Sequence, residues 1–280
     1  ANLRDRFIPV AVDQHVHRRL RNKEGELFAA VLKQAGRDLG GRSQGVYIFA
    51  PSGTLLAFAN TADAEHVKRL MTKALDAFEP KAPAGNYPDA PGSSPAGDPP
   101  EETLIALVTC KVLGGYEEVE GRRTAIHAAS LGEDHLWIRA DEAKAVASGD
   151  VPDSLVKRML RFHFVDNTRG EPPFWRSEEV RVAEIRIDDG QISGRIELAT
   201  ADGSRGYTAE LMGRVEAEAG ELARLDLVAL GSFHGEGRYT RGAPPGEYPF
   251  AVAVRLIDPE HPADLVVPGA ARRNVSGYLK

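Results

Sequence analysis

At 280 residues, with 42% hydrophobic and 27% charged side chains, the chain has globular composition and room for one large domain or two ordinary ones. No apolar run reaches the length of a membrane span, no charged-then-apolar leader precedes the first apolar segment, and the lone Cys110 excludes an internal disulfide, a CxxC pair and a cysteine-built zinc site. Charge is uneven within the net −6: residues 1–79 hold 12 Lys and Arg against 9 Asp and Glu, the remainder 23 against 32. The basic knot at 18–23 carries no interleaved aromatics, so it reads as a solvated helix end or loop and gives no reason to expect a nucleic-acid partner.

In chain order, residues 1–6 read as the tail of a helix, and the near-continuous apolar run at 7–12 as a strand buried on both faces. That run turns polar at once, placing Asp13, His15 and His17 at alternate positions. A helix is expected over 24–36, with Leu27, Phe28, Val31 and Leu32 on one face and Gly36 as its stop. Strands at 45–49 and 54–58 flank the Pro51-Ser52-Gly53 turn as a hairpin, and Asp63 caps a helix running to Phe78.

This order of helix tail, strand, helix, strand, turn, strand and helix over residues 1–79 resembles the later part of a thioredoxin fold. The resemblance implies that the family's first strand, redox CxxC and first helix would lie upstream of Ala1. Where that family has a cis-proline before its third strand, this chain has Ser43-Gln44-Gly45. Thiol–disulfide exchange needs a paired, activated thiolate, which these residues do not supply.

Seven prolines between Pro80 and Pro100, set among Gly, Ser and Ala, predict a semi-extended linker over 80–102 between a domain at 1–79 and a second at 103–280. Such linkers are common in exported proteins, which points to a periplasmic or secreted location. The second domain opens with a buried strand at 104–113 that carries Cys110 as a core residue. A short strand at 135–139, a short helix at 141–148 and a longer helix at 152–164 follow, the last capped by Asp150 or Asp153. From Val180 the period changes to two, with turns at Asp188-Asp189-Gly190 and Ala201-Asp202-Gly203, giving five sequential antiparallel strands. The fold class is α+β: a partial thioredoxin-like domain, then an antiparallel meander curled into a half-barrel and covered by the 152–164 helix.

Three segments carry the candidate chemistry. On a strand, His15 and His17 leave the same face and Asp13 joins them, a donor set that suits Zn, Cu or Fe once a further ligand such as His163 or His234 is added. Residues 161–176 hold His163, Asp166, Arg169 and Trp175 on an irregular loop. Residues 231–246 group His234, Glu236, Arg238 and Tyr239 among glycines, a set able to bind an anion or, through His234, Glu236 and Tyr239, to act as acid and base. A tight β-connection with a Tyr–Arg stack, and an Asp166–Arg169 pair beside a packed Trp175, are the structural readings of the same residues.

Two functions follow. One is an extracytoplasmic protein that binds a transition metal ion through Asp13, His15, His17 and His163, with metal-dependent oxidoreduction as its chemistry. The other is a non-catalytic module on a degenerate thioredoxin-like scaffold, binding a small molecule or a protein through the 166–176 and 231–246 loops.

Overall fold

The computed structural model describes residues 6–10, 12, 14–18, 22–79, 99–117, 119–121, 123–259, 262–272 and 274–280. The chain divides into two units, Ala1–Pro95 and Ala96–Lys280, and the break falls inside the proline-rich stretch. Most of the expected linker lies outside the described residues, as does Asp13. Among the described residues no helix is long and apolar enough to cross a membrane.

The first unit comprises α1 (Gln14–His17), α2 (Lys23–Gln34), a two-stranded antiparallel sheet of β1 (Val46–Phe49) and β2 (Leu55–Ala59), and α3 (Ala64–Ala77). Both longer helices start on the side chain of a capping residue: Asn22 Oδ1 accepts from Gly25 N at 3.1 Å and Asp63 Oδ1 from His66 N at 2.9 Å. The α3 face at Leu70, Met71 and Ala74 packs against Ile48 and Ala57 of the hairpin. The Gln34 side chain ties the end of α2 to the hairpin through Gly53 O and Leu55 N, both at 2.9 Å.

One expectation fails in this unit. Residues 7–10 form no strand; Pro9 has no N–H to give a ladder, and Ile8 stands 91% exposed rather than buried. The polar segment after it is the helical turn α1, held by Gln14 and Arg18, whose side chains meet on the hydroxyl of the buried Ser43 at 2.7 and 2.6 Å.

The second unit is built on a seven-stranded antiparallel sheet. Its strands are β3 (Leu104–Val112), β4 (Gly132–Ile138), β5 (Val180–Asp188), β6 (Gln191–Ala199), β7 (Gly206–Glu218), β8 (Glu221–His234) and β9 (Glu247–Ile257). They lie in the order β4-β3-β9-β8-β7-β6-β5, so the sheet is open, with β4 and β5 at its edges, and no barrel closes. The predicted meander is β5 to β9. Asp189 and Gly190, at φ 48° and 73°, make the two-residue β5–β6 turn whose positive φ values the Asp-Gly pair tolerates.

Alternation along the strands sends Val108, Cys110, Leu211, Leu227, Phe250 and Val252 to one face. There they meet α5 (Ala140–Ala147) and α6 (Asp153–Phe162) through Ala143, Val146, Leu155, Met159 and Leu160. The α6 N-cap is Pro152, with Asp153 already in the first turn. A short helix that the periodicity did not disclose, α4 (Thr124–Ala129), precedes β4. On the opposite face, Ile105 and Trp137 are covered by a C-terminal arm that ends in α7 (Val275–Tyr278), through Ala271 and Tyr278.

Candidate functional site

The chain leaves α6 at its C-cap, His163, buries Phe164 and Val165, and enters an irregular loop that packs on the connection between β8 and β9. Asp166 organises this junction. Its Oδ1 accepts from the amide and hydroxyl of Thr168 at 3.0 and 2.6 Å, a local turn that short acidic side chains favour. Its Oδ2 lies 2.8 Å from Arg169 and 3.1 Å from the Tyr248 hydroxyl, which donates to it.

The Arg169 side chain is buried, and its donors reach across to the other loop. Nε donates to Thr240 O at 2.9 Å, Nη1 to the Tyr116 hydroxyl at 3.0 Å, and Nη2 to the Tyr248 hydroxyl at 3.4 Å. Burial works against the charged guanidinium, but Asp166 and the tyrosine hydroxyls outweigh it, so its pKa is raised. The same surroundings raise Tyr248, burial first and the Asp166 charge second. Gly170, at φ 148°, brings its backbone against Tyr239 O, where a Cβ would lie only 2.4 Å away.

The second loop is fixed from within. Thr240, buried, accepts from Gly237 N at 2.7 Å through Oγ1, while Glu236 Oε2 accepts from Gly242 N and Ala243 N at 2.8 and 3.3 Å. Beside the junction, Trp175 is buried and donates to Phe164 O at 2.8 Å, and the Arg205 guanidinium stacks 3.8 Å above its ring. Arg205 also donates to Pro173 O and Phe174 O, and burial lowers its pKa. The cavity lined by Asp166, Arg169, Arg205, Glu236 and Thr240 measures about 10 Å³, at the threshold for a single water. Outside it, Arg238, Tyr239 and Arg241 are exposed, with Arg238 Cζ 5.3 Å from the Tyr239 ring centroid and Tyr239 64% exposed.

The catalytic candidates therefore occupy separate environments. His234 ends β8 with Nε2 3.1 Å from Gly203 O, and its ring lies against Gly206. Glu236 is engaged by two backbone amides, and Tyr239 points outward with Arg238 stacked on it. These are the contacts of a tight β-connection, and the Asp166–Arg169 pair beside a packed Trp175 matches the structural reading of its loop.

Of the metal-ligand candidates, Asp13 is outside the described residues, and His15 and His17 lie in the helical turn α1 rather than on a strand. The His17 ring meets Phe28 edge-on at 5.7 Å. His163 is buried with Nε2 2.8 Å from the Tyr278 hydroxyl and Nδ1 3.2 Å from Asp134 Oδ2, close enough for attraction but without hydrogen-bond alignment. Burial would raise the Asp134 pKa; His163 and the amides of Gly269 and His135 outweigh it, and the carboxyl sits below its ordinary range. Among the described residues no group of three or more His, Cys, Asp or Glu is placed to hold a metal ion. Cys110 donates to Asn167 Oδ1 at 2.7 Å, and burial pushes its thiol up to about 12.

A second polar cluster was not among the sequence candidates. Arg158 and Glu142, both buried, form a two-point pair at 2.7 and 2.8 Å, and Arg158 also donates to Trp137 O, Tyr278 O and Leu279 O. Burial raises Glu142, but Arg158 and Ser154 hold it below its usual value. The readable signal was Arg158 itself, a charge on the helical stripe of Leu155, Met159 and Phe162.

No protein-family model matches the chain, and neither a curated protein nor a solved structure is significantly similar to it.

Proposed function

We propose that the chain is a non-catalytic binding module whose second unit meets a protein partner on the face formed by the 166–176 and 231–246 loops. The observation that carries this reading is the division of labour in those loops. The buried groups Asp166, Arg169, Thr240, Tyr116 and Tyr248 bind one another and leave a cavity too small for a substrate, while Arg238, Tyr239 and Arg241 project from the loop they hold. Tyrosine and arginine are the side chains most used as interface anchors, and a prefixed loop binds with little ordering cost.

Residues 1–79 serve in this reading as a degenerate thioredoxin-like scaffold; the order α2, β1, β2, α3 supports it, and the strand expected before α2 is not formed by residues 7–10. A transition-metal role for Asp13, His15, His17 and His163 has less support: residues 14–17 are helical and both His163 nitrogens face protein groups. An extracytoplasmic location rests on linker composition.

The test is selection of an unbiased displayed peptide library on the wild-type protein and on an Arg238→Gln/Tyr239→Ala/Arg241→Gln variant. Peptides enriched by the wild type and lost on the variant are the expected result. Enrichment indifferent to the three substitutions, or none at all, overturns the reading.

A further inference from the structure

The chemistry of the partner can be taken further, on the basis of the binding-module reading. In the second unit Arg139, Arg158, Arg169, Arg195, Arg214 and Arg224 each have a carboxylate oxygen at 3.7 Å or less. Arg238 and Arg241, like Arg161, Arg181, Arg186 and Arg255, have none among the described residues; the two differ from those four in standing together on the loop pinned by Glu236 and Thr240. The Arg238 guanidinium carbon lies 5.3 Å from the Tyr239 ring centroid, so the cation and the ring stand side by side at the tip.

Helix α4 packs beside this loop. The ring of His127 lies against Gly242 of the same loop, with 3.1 Å from its Cε1 to where a Cβ on that glycine would stand. Burial lowers the His127 pKa, and the charges of Arg169 and then Arg123 add to that lowering. Arg123 stands exposed at the start of α4, one helical turn before His127. This basic spot sits on a protein of net charge −6, so an acidic partner is drawn to one place and repelled elsewhere. The one tyrosine of this tip and an acidic body do not suit a nucleic-acid strand, which needs a basic track and repeated stacking platforms.

We propose that the Arg238–Tyr239–Arg241 tip docks an extended, carboxylate-rich protein segment, each arginine receiving a carboxylate in charge-assisted hydrogen bonds and Tyr239 packing against the segment between them.

The probe is a fluorescently labelled peptide of alternating Glu and Ser, read by anisotropy at low and at physiological salt, with a Lys–Ser peptide as control. Wild-type protein binds the acidic peptide and not the basic one. Arg238→Gln/Arg241→Gln weakens binding about tenfold, the equivalent of one charge-assisted contact, and flattens its salt dependence. Arg238→Lys/Arg241→Lys recovers part of the loss. Unchanged melting of each exposed-site variant shows that the fold is kept. Absence of acidic-peptide binding by the wild type, binding undiminished by the Gln pair, tighter binding of a single-stranded oligonucleotide, or displacement by inorganic phosphate at equal concentration overturns the proposal. If library selection yields loop-dependent peptides without Asp or Glu, the binding module stands and the acidic partner falls; if it yields none that depend on the loop, both fall.

Discussion

The Arg158 and Arg169 side chains are both buried and both face a carboxylate at under 3 Å; Arg158 extends its remaining donors to backbone carbonyls, Arg169 to one carbonyl and two tyrosine hydroxyls. Arg158 grips Tyr278 O and Leu279 O, so its cluster closes the C-terminal arm onto β4 and exposes little of itself. Arg169 grips Thr240 O, one residue from the exposed Tyr239, so its cluster stiffens a loop that faces water. The two sets of contacts look alike. What differs is the segment on the far side, and that decides whether a buried ion pair serves stability alone or also presents a surface.

The largest expected effect is on the first cluster. Arg158→Leu leaves Glu142 buried with only the more distant Arg139, at 3.4 Å, as a cation, and destabilises the protein by about 3–5 kcal/mol in denaturant titration. Replacing Glu142 as well, by Leu, restores most of that loss, and acidic-peptide binding stays as in the wild type. Arg169→Leu strands Asp166 and the Thr240 carbonyl at a cost of about 3 kcal/mol and also abolishes peptide binding. Equal binding by these two variants would erase the distinction between the clusters.

Acid sharpens the comparison further. His127 and His135 are held below the ordinary histidine value, so the unfolded chain takes up protons first and stability declines as pH falls below about 6.5. Glu142 and Asp134 are also depressed. Their contribution is complete above about pH 4–5 and is lost as pH falls through their folded values. Melting temperature across a pH series should therefore drop gently from neutrality and steeply in the carboxylate range, with the steep part reduced to the Asp134 share in the Arg158→Leu/Glu142→Leu variant. The smallest effect belongs to the first unit: His15→Ala/His17→Ala should leave bound metal, measured by elemental analysis, at its wild-type level.

Legibility followed the range of the interactions. The meander was readable because alternation at Ile192 to Leu198 and the Asp189-Gly190 turn are local signals, and its hairpin register follows from them. The place of β3 between β4 and β9 was not, because its partner strands are chosen by packing across the whole unit. The run at 7–12 had the composition of a core strand, but residues 7–10 hold Pro9 and form no strand, and His15 and His17 fall in a helical turn, so the period of two assigned to that pair was the wrong one. Composition did mark the 166–176 and 231–246 loops. It gave no sign that Glu236 would be used up by Gly242 and Ala243, or that Tyr278 would seek His163, because those partners are set by the folded path of the chain.

The β3–β9 ladder has a kinetic consequence. Each strand from β6 to β9 pairs with the strand just before it in the chain, whereas Ile105 must find Ile257 across nearly the whole unit. The entropy of closing that loop is met only once the hairpins are assembled, so β3 joins a ready-made template late, and the arm carrying Tyr278 seals over it afterwards. Until then the inward side of β9, with Phe250, Val252 and Val254, lies bare beside an unpaired edge, and that interval is when this protein is most open to mispairing with another chain.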